Sequence, residues 1–159
     1  LEGMRLVIDY LPRAYADGND IEARAQLMSA AAMGATAFQK GLGAIHAMSH
    51  PIGAVFNTHH GTTNAVCMPA VLDLNEPEIR ERFDRAAGYL GIDGGYDGFR
   101  AFVQEFNDSF GIPRKLSEMG VSADRIDDLV AMALEDPSCG GNPVTLTTEN
   151  LRKLFEATI

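Results

Sequence analysis

A chain of 159 residues, 46% hydrophobic and 22% charged, has the size of one ordinary domain with a single core, and its mean hydropathy of −0.06 is that of a soluble globular protein. The formal charge of −9 would repel a phosphate backbone and argues against nucleic acid as a partner, while no apolar run approaches the roughly 20 residues needed to span a bilayer, so no membrane partner is expected. Cys67 and Cys139 lie far apart with no CxxC spacing, and Leu1-Glu2-Gly3-Met4-Arg5 does not read as a secretory signal, so reduced thiols in a cytoplasmic protein are expected.

The spacing of Leu6, Val7, Tyr10 and Leu11 predicts a helix over 3–15 that Pro12 should end or kink. Asp17-Gly18-Asn19-Asp20 reads as a turn, with Asp20 capping an alanine-rich helix that runs to Phe38 and carries Glu22 in its first turn. The segment from Gly41 to Phe56 is apolar on nearly every face apart from its histidines, which predicts a helix buried in the centre of a bundle. After Gly61 an apolar helix is expected as far as Leu74. There Asn75 should cap a separate helix, with Glu76, Pro77 and Glu78 in its first turn and Ile79, Phe83 and Leu90 facing inward.

Gly91 to Gly98 reads as a loop, and Phe99, Phe102, Val103, Phe106 and Phe110 then mark an amphipathic helix broken by Gly111-Ile112-Pro113. Ser122 is expected to cap a helix with Ile126, Leu129, Val130 and Ala133 inward, stopped at Asp136-Pro137. A loop through Gly140-Gly141-Asn142-Pro143 leads to a last helix capped near Thr147, with Leu151, Leu154 and Phe155 buried. No segment alternates with period two, so the expected fold is all-α: a helical bundle forming a single domain over 1–159. Gly91-Ile92-Asp93-Gly94-Gly95 follows a helical pattern rather than a strand, so no dinucleotide-binding residue is assigned.

His46, His50, His59 and His60 are the only histidines, and they sit in the most apolar part of the chain. His46 and His50, four apart, project from one helical face, the spacing by which a helix presents imidazoles to a common ion or substrate. A turn through Phe56-Asn57-Thr58 can return His60 to the same pocket. Spacing alone leaves two readings level: a divalent-metal site, and core histidines satisfied by hydrogen bonds. A catalytic metal needs three or more protein ligands, and no Asp or Glu lies inside the cluster. Thr63 and Asn64 read as local hydrogen bonders, and Cys67 as a small core residue with no base three or four residues away. Beside a metal-dependent enzyme, the residues allow a non-enzymatic helical interaction module with structural histidines, or a metal-dependent hydrolase, which would need a carboxylate near the cluster.

The stretch Gly41-Leu42-Gly43-Ala44-Ile45-His46-Ala47-Met48-Ser49-His50-Pro51-Ile52-Gly53-Ala54, followed by Asn57-Thr58-His59-His60-Gly61-Thr62-Thr63-Asn64-Ala65 and Met68-Pro69, resembles the signature of iron-containing (group III) alcohol dehydrogenases. Asn142-Pro143 with Thr147-Thr148-Glu149-Asn150-Leu151 resembles that family's carboxyl end, so the resemblance covers essentially the whole chain. It implies the C-terminal helical domain of the dehydroquinate synthase-like fold, behind an amino-terminal nucleotide-binding domain, with NAD(P) and Fe2+ or Zn2+ in the cleft between them. Residue by residue it implies His46 and His60 as metal ligands and His50 as a catalytic-site histidine that relays or orients a proton without ligating. His59 stands where many members have proline and is expected to support the site or lie on the surface. The family's Asp-x-x-x-His helix has no match in this sequence. The resemblance therefore implies two of four ligands here and an isolated chain that is inactive. The whole enzyme it implies is a homodimer that transfers hydride between an alcohol and NAD(P), giving an aldehyde or ketone.

Overall fold

In the computed structural model, which describes residues 1–159, the chain folds into seven α-helices and four short 3-10 turns without a strand. The amphipathic start becomes α1 (Glu2–Ala16), and Pro12 lies inside it rather than ending it. Pro12 is exposed, so the carbonyl that its missing N–H frees one turn earlier can be hydrated. As expected, Asp20 caps α2 (Ile21–Ala37), its Oδ1 accepting from the Ala23 N–H at 2.9 Å. The two helices pack on each other as a hairpin that makes few contacts with the remainder of the chain.

The remaining helices are α3 (Ala44–Phe56), α4 (His60–Leu90), α5 (Gly95–Ser109), α6 (Ile126–Glu135) and α7 (Thr148–Thr158). The sequence pattern predicts a helix boundary at Asn75, but α4 runs unbroken through both Pro69 and Pro77. Hydrogen bonds account for the passage through Pro69 and for the failure of Asn75 to cap. Pro69 deprives the Ala65 carbonyl of its helical donor, and the Asn107 amide on α5 supplies one instead at 3.0 Å. Asn75 does not cap. It is buried, and its amide exchanges two hydrogen bonds with that of Asn142, at 2.9 and 2.8 Å. The glycine-rich stretch after Gly91 ends at Gly95, where α5 already begins. Ser122 precedes a 3-10 turn (Ala123–Arg125) rather than α6 itself, and its hydroxyl bonds to the Asp124 side chain. Thr147 caps α7 reciprocally with Asn150.

The long α4 is shared by two cores. Its first half joins α3, α6 and α7 around Met48, Ile52, Cys67, Leu129, Leu151 and Phe155, while its second half joins α5 around Ile79, Tyr96, Phe99 and Val103. Between the α1–α2 hairpin and the α4–α5 pair lies an apolar trough of about 420 Å³ lined by residues such as Val7, Met33, Met68, Phe102 and Phe106, with no histidine among them. No helix is long and apolar enough to cross a membrane.

Candidate metal centre

The helix that carries His46 and His50 is buried on one side only. Ala44, Ala47, Met48, Ser49, Pro51 and Ile52 are inside, whereas His46 is half-buried and His50 exposed. The sequence expectation of a helix enclosed on every face therefore holds for the apolar side alone, and the imidazole side is open. Two connections fix where that side faces. At its start, the Ala44 N–H donates to Asn142 Oδ1 at 3.1 Å, tying the first turn of α3 to the loop after α6. At its end, Asn57 takes the left-handed conformation (φ 54°, ψ 39°) and turns the chain into α4 within three residues. Asparagine reaches this region more readily than most side chains because its amide is short and polar.

That turn delivers His60, the first residue of α4, to the two imidazoles of α3. The ring centroids of His46 and His60 are 5.4 Å apart, those of His46 and His50 5.6 Å, and those of His50 and His60 5.6 Å. The three predicted site residues thus converge on one exposed patch. His59 does not join them. It caps α4, its Nδ1 accepting from the Thr62 N–H at 3.3 Å. Thr63 is buried and bonds locally, its hydroxyl donating to the His59 carbonyl at 3.0 Å and sharing a hydrogen bond with the Thr58 hydroxyl at 2.8 Å. Cys67 is fully buried, and burial pushes its thiol up to about 12, as befits a core residue rather than a nucleophile.

Electrostatics at the patch favour the neutral form of His46. Burial, and after it the neighbouring His60 and His50, lower the pKa of His46 from its ordinary value, against a smaller opposing pull from Asp136. Asn64 Nδ2 lies 3.1 Å from His60 Nε2. An amide nitrogen can only donate, so it engages the lone pair of that ring nitrogen, and an ion bound there would take the place of this contact. The Asn64 Oδ1 is buried without a partner.

Neutral imidazole suits first-row divalent ions. Two rings bound to one tetrahedral ion through nitrogens about 2 Å from it have centroids roughly 5 Å apart, and the His46–His60 separation of 5.4 Å is compatible with that. The donor set is partial. No group of three or more His, Cys, Asp or Glu side chains is arranged to hold an ion within this chain. These residues fit a metal as one wall of its site.

One further group at the patch could not be found by local reading. Asp136, from the end of α6, places Oδ2 2.8 Å from His50 Nδ1 across a sequence separation of 86 residues. The only advance signal was the helix stop at Asp136-Pro137, which locates the residue but not its partner.

The sequence profile described as Fe-containing alcohol dehydrogenase family, C-terminal, matches residues 1–159. The chain is 38% identical over 165 residues to the 4-hydroxybutyrate dehydrogenase of Cupriavidus necator, and 36% identical over 164 residues to the NAD-dependent methanol dehydrogenase of Bacillus methanolicus. Each alignment covers 98% of this chain and 43% of the relative, so the chain spans less than half the length of these proteins. Among solved structures, 1,3-propanediol oxidoreductase superimposes with a TM-score of 0.94 at 28% identity, over 99% of this chain and 44% of that one. The iron-containing alcohol dehydrogenase of Corynebacterium glutamicum gives 0.83 at 33% identity, over 99% and 43%.

Proposed function

Because the chain belongs to the iron-containing alcohol dehydrogenase family, as its C-terminal helical domain, we propose that it forms the imidazole wall of the metal site in an enzyme that interconverts an alcohol with an aldehyde or ketone using NAD(P). The observation that carries this reading is the convergence of His46, His50 and His60 on one open face. His46 and His60 hold the ion as neutral ligands. The remaining donors and the nucleotide site belong to the part of the relatives that this chain does not span. When bound, Fe2+ or Zn2+ supplies Lewis acidity that eases proton loss from the substrate hydroxyl, and NAD(P) accepts the hydride.

The residues of this chain do the positioning and the proton handling. The burial of one side of α3 and the short Asn57 turn hold the three rings at fixed separations, so little reorganisation accompanies substrate binding. His50 receives the hydroxyl proton, standing beside His46 and His60 without serving as a ligand. The relatives named for 4-hydroxybutyrate and methanol favour a small alcohol or aldehyde as substrate. We place the enzyme in the cytoplasm, in keeping with two unpaired thiols, and as a homodimer, as the family resemblance implies. The chain by itself is expected to oxidise no alcohol.

A metal-dependent hydrolase gains from Asp136 the carboxylate it needs near the cluster, but that group is already engaged by His50 and by the Ser138 N–H. The test is made on the full-length enzyme. His46→Ala and His60→Ala are each expected to strip iron and alcohol-dependent NAD(P) reduction while leaving the helical circular dichroism unchanged. Full iron content and activity in both variants would overturn the assignment.

A further inference from the structure

Asp136 is held by local chemistry before it meets His50. Proline disfavours a helical conformation in the residue before it, so Pro137 ends α6 and puts Asp136 in an extended conformation (φ −68°, ψ 130°). From there Asp136 caps the 3-10 turn Pro137–Gly141, its Oδ1 accepting from the Ser138 N–H at 2.8 Å. The turn is pressed against the start of α3 so closely that a Cβ on Gly141 would stand 1.9 Å from the Leu42 carbonyl oxygen. With one oxygen pinned, the other is left to face the His50 ring at 2.8 Å. The Asp136 side chain is only 12% exposed while that of His50 is 42% exposed. A well-anchored carboxylate thus lies behind a ring that opens to solvent.

An ionised carboxylate can only accept, so the shared proton sits on Nδ1 of His50, and in the neutral ring Nε2 is then the bare nitrogen. On its own the ring would interchange its two neutral tautomers and turn about its side-chain bonds. Fixed by Asp136, it has one tautomer and one orientation, and the imidazolium formed on proton uptake is stabilised by the adjacent negative charge. The same division of labour, a carboxylate that orients and a histidine that exchanges the proton, underlies histidine bases in other enzymes. We propose that Asp136 is a positioning residue for His50, holding the ring as the Nδ1–H tautomer so that Nε2 is the atom that takes up the substrate proton. The proposal rests on the role given to His50 above, but its first test does not.

Ring-nitrogen NMR on the 159-residue chain labelled at histidine, above the titration range of imidazole, reads the tautomer directly, with the His50 signals assigned by their loss in His50→Gln. The wild type is expected to show Nδ1 protonated and Nε2 bare. Asp136→Asn keeps an oxygen for the Ser138 N–H but turns an amide N–H toward Nδ1, so it is expected to reverse the pattern to Nε2–H with no change in helical content. A wild-type ring averaging between tautomers, or an Asp136→Asn ring identical to wild type, would overturn the positioning role. In the full-length enzyme Asp136→Asn is expected to lower kcat at least about tenfold, leave KM and iron content unchanged, and be partly rescued by Asp136→Glu. Wild-type kcat in Asp136→Asn would also overturn it. If the tautomer reverses as expected while His46→Ala and His60→Ala keep their iron, it is the metal assignment that fails and not this one.

Discussion

At 0% exposure in the core between α3, α6 and α7, the Cys67 thiol is protonated at neutral pH, because burial pushes its pKa up to about 12. Labelling of the native chain with a thiol reagent, followed by mass spectrometry, is expected to modify half-buried Cys139 first and Cys67 only at the rate of unfolding; equal rates would contradict the packing. Asp136 gives a signature in acid. Burial alone would raise its carboxyl, but hydrogen bonds from Ser138, with a further one from His50, outweigh it and hold the group below the ordinary carboxylate range. A depressed folded-state pKa adds stability that is full above the unfolded value near 4 and is lost as pH falls through the folded one. The difference in Tm between wild type and Asp136→Asn should therefore shrink as pH falls below about 4; a difference that grows across that range would contradict it. How legible the site was in sequence follows from chain distance. The i, i+4 pair His46 and His50, with His60 one turn away, is local and could be read. Asp136 reaches His50 across 86 residues, and no spacing rule connects them.

At the scale of elements, the ends of α2 and α7 were readable because Asp20 and Thr147 cap them with their own side chains, within three residues. The course of α4 was not. Asn75, Glu76 and Pro77 make a plausible helix start by every local rule, and only the half-buried amide of Asn142, 67 residues on, turns Asn75 into an interior residue. The proline at 69 is tolerated for a similarly distant reason, and this can be measured. Asn107→Ala removes the donor to the half-buried Ala65 carbonyl and is expected to cost about 1 kcal/mol in urea unfolding. In a Pro69→Ala background, where the helical N–H is restored, the same substitution should cost markedly less. Strict additivity in that cycle would show that Asn107 does not stand in for the missing donor.

At the scale of the whole molecule, the all-helical fold was readable from periodicity, but the unequal coupling of its parts was not. The α1–α2 hairpin touches the rest sparingly and carries exposed Met4, Tyr15, Ile21, Met28 and Met33, whereas α3, α4, α6 and α7 enclose a shared core. Segments with few tertiary contacts open at lower free energy, so hydrogen exchange should deprotect α1 and α2 before α3; protection of the hairpin equal to that of α3 would contradict this division. Placing the imidazoles on the tightly coupled part gives them the rigidity a metal site needs. Anomalous diffraction at the iron edge from crystals of the full-length enzyme reads that claim most directly. The expected result is a single iron peak within bonding distance of a ring nitrogen of both His46 and His60, with His50 beside it but not ligating and bonded to Asp136; an iron peak that touches neither His46 nor His60 would contradict it.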